Sequence, residues 1–151
     1  MEIRIEPMTL SDLAGVLAEH DQFWGERDLR FVHQRVFVQE FGDTCLTARD
    51  GAGRIAGYLI GFTTPRRLGY IHGVAVRGTA RGTGCGRALY QAFAAAAAAQ
   101  GADRLKAITS VANTGSVAFH RRLGFGVRQV DNYDGPGAPM MVMTRPLPLP
   151  G

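Results

Sequence analysis

Apolar and polar positions change their period several times along this chain, and each change predicts an element. Residues 2–6, Glu2-Ile3-Arg4-Ile5-Glu6, alternate as a half-buried strand does, and Pro7 ends the run. Thr9 with Asp12 three residues on resembles a capping box, after which Leu13, Val16 and Leu17 fall on one helical face. The same spacing predicts a second helix over residues 27–39, with Leu29, Val32, Val36 and Phe37 as its apolar stripe. The join between the helices carries Phe23 and Trp24, and Gly42-Asp43 breaks the pattern.

Residues 44–49 and 54–63 read as strands around the turn Asp50-Gly51-Ala52-Gly53. Residues 68–76 form a further strand, followed by a loop rich in Gly, Arg and Thr. A long helix then runs to about Gln100 and ends at Gly101. It includes the alanine run 94–99. Alanine is the best helix former, so the run predicts a helix lying close on a sheet. A strand at 104–110, a helix at 113–123 ended by Gly124, and strands at 125–132 and 140–145 complete the pattern. The order β-α-α-β-β-β-α-β-α-β-β, without linker or repeat, predicts a single mixed α/β domain over residues 1–147 and a Pro-rich tail at 148–151.

The chain has 151 residues, 46% of them apolar and 20% charged, enough for one substantial core. No charge-free apolar run reaches the length of a membrane span, and the first residues lack a signal-peptide layout, so a cytoplasmic location is expected. Cys45 and Cys85 have no Cys or His neighbours at zinc-binding spacing, and no metal is expected. The net charge of +4 would attract a polyanion. Arg66, Arg67, Arg77, Arg81 and Arg87 bracket one glycine-rich segment, without a basic stripe carrying interleaved aromatics. That favours a phosphate-rich cofactor over nucleic acid.

The segment Val74-Ala75-Val76-Arg77-Gly78-Thr79-Ala80-Arg81-Gly82-Thr83-Gly84-Cys85-Gly86-Arg87 leads from a strand through a glycine-rich turn into a helix. Unpaired N–H groups and a partial positive charge at a helix start bind phosphate. Glycines at 82, 84 and 86 let a pyrophosphate approach them, and Arg81 and Arg87 add charge at the rim. The loop lacks the Gly-Lys-Ser/Thr of a Walker motif. It also lacks the third glycine of a dinucleotide fingerprint.

Arg81-x-x-Gly84-x-Gly86 resembles motif A of the GNAT N-acetyltransferases. Asn113-x-x-Ser116-x-x-Phe119-His120-x-x-x-Gly124-Phe125 resembles their motif B, and the element order matches their fold. The resemblance implies an enzyme that moves an acetyl group from acetyl-coenzyme A to a primary amine by direct attack in a ternary complex. The alternative is a non-catalytic acyl-coenzyme A sensor of the same fold. It further implies that Val74 and Val76, flanking Ala75, pair with the pantetheine arm, and that the amides from Arg81 through Gly82, Thr83, Gly84, Cys85 and Gly86 to Arg87 take the pyrophosphate. Asn113, Ser116 and Phe119 would flank the coenzyme, Asn113 serving equally as a helix N-cap.

His120 occupies the motif B position where many relatives carry a tyrosine that donates to the coenzyme's sulfur. His72 and Tyr70 share a strand face where serotonin-type relatives hold two histidines. The resemblance makes His72 the candidate base and Tyr70 its neighbour. The acceptor pocket is expected between the first helical join and the last hairpin, with Asp21, Phe23, Trp24 and Tyr133 as binding residues, and with Asp131 and Asp134 available to attract a cation. The acceptor would be a small-molecule or protein amine. The strand near the C-terminus offers a natural edge for a homodimer.

Overall fold

The structure, a computed structural model, describes residues 2–149. Met1, Pro150 and Gly151, which fall in the expected domain and tail, lie outside the described residues. Seven strands, β1 (Arg4–Pro7), β2 (Cys45–Arg49), β3 (Ile55–Thr64), β4 (Leu68–Val76), β5 (Arg104–Ser110), β6 (Gly126–Val130) and β7 (Met140–Pro146), form one sheet in the order β1-β2-β3-β4-β5-β7-β6. Only β4 and β5 run parallel; every other neighbouring pair is antiparallel. Parallel neighbours need a crossover, which here is made by α4 (Cys85–Ala99).

Successive residues of β3 serve two cores, because strand side chains alternate between faces. Leu59 joins Leu89, Phe93 and Ala97 of α4 and Leu105 of β5. Tyr58 and Ile60 join Leu13 and Val16 of α1 (Leu10–Ala18), Phe23 of α2 (His20–Trp24) and Val38 of α3 (Arg35–Glu40). The alanine run does what its composition predicts. Ala94 and Ala97 are buried under α4, and the sheet beneath is cut back to match. A Cβ on Gly61 would lie 2.5 Å from Phe93 Cε1, and one on Gly69 would lie 3.0 Å from Ala97 Cβ.

The capping box at the start of α1 forms, with Asp12 N donating to Thr9 Oγ1 (3.0 Å) and Thr9 N to Asp12 Oδ2 (2.9 Å). The single helix expected over residues 27–39 does not. Only Arg35–Glu40 is α-helical, after a 3₁₀ turn at Arg30–Val32. Side chains capture the backbone that a helix would need. Asp28 Oδ1 accepts from Arg30 N (3.2 Å), Leu29 N donates to His20 Nε2 (3.0 Å), and Leu29 O accepts from His33 Nδ1 (2.7 Å). The expected tail packs as far as it is described, Leu149 lying with Leu147 of the domain against the α4-side core.

Candidate active site

The parallel pair at the sheet's centre holds together over only four residues, Leu68–Ile71 against Arg104–Ala107. Beyond that point β4 stays with β3 as far as Val76↔Gly57, and β5 stays with β7 as far as Ser110↔Met140. The register against β3 slips where they part: Gly61 faces Ile71 and Ile60 faces Gly73, so His72 is the extra residue of a bulge. Residues 72–76 thus have no strand partner on the β5 side, and a cleft opens there.

Two cavities of about 630 and 600 Å³ share Val74, Ala75, Val76, Arg81, Asn113, Ser116 and His120, so they adjoin where the two strands part. At one end lies the start of α4. Ala88 N is the first amide to bond back along the helix, to Gly84 O (3.0 Å), and the helix geometry leaves the amides of residues 85–87 unpaired. Gly82 and Gly84 have φ of 77° and 85°, values a side chain resists, so these two glycines shape the turn. Gly86 is required for a different reason, since a Cβ there would meet the Phe119 ring at 3.1 Å. Gly82, Gly84, Cys85, Gly86 and the guanidinium-bearing Arg81 and Arg87 line this end. Thr83 is not among the lining residues; its hydroxyl donates to Ala80 O. Burial raises the Cys85 thiol to about 11, so it stays protonated.

Asn113 caps α5 (Thr114–Arg122): its Oδ1 accepts from Ser116 N (3.2 Å) while its Nδ2 donates to Thr109 Oγ1 (2.9 Å), bridging β5 and α5. His120 lies at the junction of the two cavities but is nearly sealed, 2% exposed. Its Nδ1–H donates to Ser116 O (2.7 Å), and its Nε2 accepts from the Tyr90 hydroxyl (2.5 Å). Burial holds the imidazole below its ordinary value, against the Ser116 carbonyl, which favours the cation. The neutral ring therefore has no free N–H. Tyr90 gave no signal in the sequence beyond its place on the apolar face of α4.

The other cavity is lined by Trp24, Arg27, Leu29, Tyr70, His72 and Asp134, among others. Tyr70 and His72 share a face as expected, with ring centroids 6.5 Å apart, inside an aromatic cluster that also holds Phe37 and Phe62. Among the described residues no group hydrogen-bonds to His72, and burial lowers its pKa, so it is a neutral imidazole with free ring nitrogens. Burial raises the Tyr70 hydroxyl to about 12, with the charges of Tyr133 and Asp134 adding to the effect. The last hairpin thus reaches Tyr70, and Lys106 Nζ lies 5.0 Å from the Tyr133 ring centre. Phe23 touches the cavity but is a core residue, 2% exposed, with its ring under the Arg77 guanidinium. Asp21 and Asp131 are exposed and do not line the cleft.

The arginines divide. Arg66 and Arg67 stand at the far end of β4, where Arg67 pairs with Asp103 (3.4 Å). Arg77 is 3% exposed and bound to Glu19. Arg81 and Arg87 alone among these five line the cleft.

The comparisons agree with this geometry. A sequence profile of the acetyltransferase (GNAT) family matches residues 13–125. A Pseudomonas aeruginosa protein named L-methionine sulfoximine/L-methionine sulfone acetyltransferase is 31% identical over 141 residues, covering 84% of this chain and 82% of its own. Ribosomal-protein-alanine N-acetyltransferase from Brucella melitensis superposes with a TM-score of 0.72 at 26% identity, over 95% of this chain and 99% of its own. The NatC complex bound to Gag peptide and CoA contributes a chain with TM-score 0.78 at 22% identity, covering 98% and 100%, a likeness of fold. The chain belongs to the GNAT acetyltransferase family and is an acetyl-coenzyme A-dependent N-acetyltransferase. No helix among the described residues is long and apolar enough to cross a membrane, and no cluster of His, Cys, Asp and Glu there could hold a metal ion.

Proposed function

We propose that the protein acetylates a small primary amine of amino-acid type, in a ternary complex, with His72 as the base. The observation that carries this reading is the pair of adjoining cavities: a helix start with unpaired amides in one, a neutral histidine with free nitrogens in the other. Bound acetyl-coenzyme A supplies the activated acetyl thioester.

The unpaired amides of residues 85–87, with Arg81 and Arg87, suit the pyrophosphate. The β4 edge at Val74 and Val76 suits the amides of the pantetheine arm. Asn113, Ser116 and Phe119 close the α5 side. An ammonium of pKa about 10 must lose its proton before it attacks. His72 takes that proton, directly or through one water, because its site keeps it neutral. Tyr70 and the surrounding rings exclude water and orient the imidazole. The departing thiolate is met by the Tyr90 O–H, which turns from His120 Nε2 toward it; His120, held by Ser116, fixes the tyrosine's position.

On the acceptor side Asp134 stands for the ammonium and Arg27 for a carboxylate. Trp24 walls the space; Tyr133 is not in its lining but stands near enough to raise the Tyr70 hydroxyl. The relative named for methionine sulfoximine and sulfone supports an amino-acid acceptor. The test is a panel of amino acids, their decarboxylated amines and short peptides with acetyl-coenzyme A, read by free-thiol release. Amino acids should be preferred, and His72→Gln should lower turnover at saturating substrate. Equal use of the decarboxylated amines would refute the carboxylate role of Arg27, and unchanged turnover in His72→Gln would refute the base.

A further inference from the structure

Two buried histidines outside the reaction path hold the backbone of one residue, Leu29, between them. Leu29 N donates to His20 Nε2 (3.0 Å), and Leu29 O accepts from His33 Nδ1 (2.7 Å). The second imidazole continues the chain: His33 Nε2 lies 2.6 Å from Tyr58 Oη, which in turn receives Trp24 Nε1–H at 2.7 Å. A carbonyl can only accept, so His33 Nδ1 carries the proton, Nε2 accepts, and the Tyr58 O–H points at it. The indole N–H fills the tyrosine's oxygen. Both ring nitrogens of His33 and the Tyr58 hydroxyl are thus engaged, and the arrangement requires the His33 imidazole to be neutral.

The chain ties residues 24–33, whose Trp24, Arg27, Leu29 and Val32 line the acceptor cavity, to the fully buried Tyr58 of β3. A backbone carried by so few of its own hydrogen bonds depends on such ties. We propose that His33 is a positioning residue for the acceptor site: its neutral ring fastens this segment to the sheet, and protonation releases it. A proton on Nε2 would face the Tyr58 O–H, which must then turn away into a buried space.

The surroundings resist the cation. His20 on α2 stands 5.8 Å away ring to ring, and cationic His20 or His72 on β4 would repel it. The loop's own charges are the exposed Glu26, Arg27 over the Trp24 ring, and the exposed Asp28–Arg30 pair. From α3 the nearest charge in sequence, Arg35, bonds Gln39. Among the described residues no carboxylate pairs with His33. Desolvation is the largest influence on the ring and lowers its pKa, against the Leu29 carbonyl, which favours the cation. Release therefore lies on the acid side of 6.5.

Trp24 is the chain's single tryptophan and a member of the clamp, so its fluorescence reads the clamp without any ligand. Titrated between about pH 8 and 5, the wild-type emission should change with a midpoint below 6.5. His33→Gln should abolish that transition. Tyr58→Phe, which removes the group that protonation displaces, should shift the midpoint upward and serves if the glutamine variant does not fold. No transition in the wild type, or the same transition in whichever variants fold, overturns the clamp.

The positioning role also rests on reading this cavity as the acceptor site, and a second measurement separates the two. The acceptor's KM, corrected for its free-amine fraction, should rise about tenfold per pH unit below the fluorescence midpoint, while coenzyme affinity stays constant. A fluorescence transition with a flat acceptor KM overturns the acceptor reading of the cavity and leaves the clamp standing.

Discussion

Arg77 donates from Nη1 and Nη2 to the two carboxylate oxygens of Glu19, at 2.9 and 3.3 Å, and from Nε to Ile55 O at 3.0 Å. With its guanidinium 4.6 Å from the Phe23 ring centre, it joins the end of α1, α2 and β3 behind the acceptor side of the sheet. Arg77→Met should therefore lower the melting temperature by several degrees and leave coenzyme affinity unchanged. Arg81→Met should do the reverse: stability is kept, coenzyme KM rises, and the remaining affinity depends less on salt. Thermal unfolding and coenzyme titrations at two ionic strengths decide; a loss of coenzyme affinity in Arg77→Met would return that residue to the phosphate site.

The glycines of the loop separate by the same kind of test. Gly84→Ala forces a side chain into a left-handed conformation, at a cost of about 1–2 kcal/mol, and tilts the amides that follow. Gly86→Ala meets Phe119, and the burden falls on the α4–α5 contact. Both substitutions should raise coenzyme KM, but Phe119→Leu should restore binding only in the Gly86 variant. Restoration in both would mean that conformation is unimportant at Gly84.

Much of this was legible beforehand, for a physical reason. The strands, the capping box, the Asp50 turn and the glycine loop are local: their residues specify them through period, hydrogen-bonding side chains or backbone freedom. What could not be read is set by contacts between distant residues. Arg77 sits just past the end of a strand, and nothing nearby in sequence announces Glu19. Residues 27–34 carry a helical stripe, yet His20, Asp28 and His33 take their backbone groups. Tyr90 looks like any other core position of an alanine-rich helix until His120, thirty residues on, turns its ring nitrogen toward it.

His72 offers the most direct test of the chemistry. It sits in a bulge, so its side chain is placed by the slip in register as well as by the strand. His72→Gln should keep fold and coenzyme affinity and reduce kcat by roughly 10²–10⁴-fold. The wild-type kcat should fall on the acid side with a midpoint below 6.5, since burial lowers this histidine, and that limb should vanish in the variant. A kcat that keeps the same acid limb in His72→Gln would move the base elsewhere.

Stability should respond to acid in two stages. His33, His72 and His120 are all held below 6.5, with burial the largest cause in each. Above 6.5 the folded and unfolded chains are both neutral at these positions, and the three make no pH-dependent difference. Below it the unfolded chain binds protons that the folded chain refuses, so stability falls as pH drops from 6.5 toward the folded values.

Glu6 and Glu19 act in a lower window. Arg49 and Arg77, respectively, hold their carboxyls below 4.5. Asp12 is pushed up by burial, yet its bonds to Thr9 and Arg49 bring it below 3.8 overall. Those contributions are complete above these values and disappear on further acidification. Urea midpoints measured at small pH steps should therefore decline first below 6.5 and again below about 4.5, with His33→Gln flattening part of the first decline only. A midpoint constant from neutrality down to the carboxylate range would mean that the three imidazoles are as easily protonated in the folded chain as outside it.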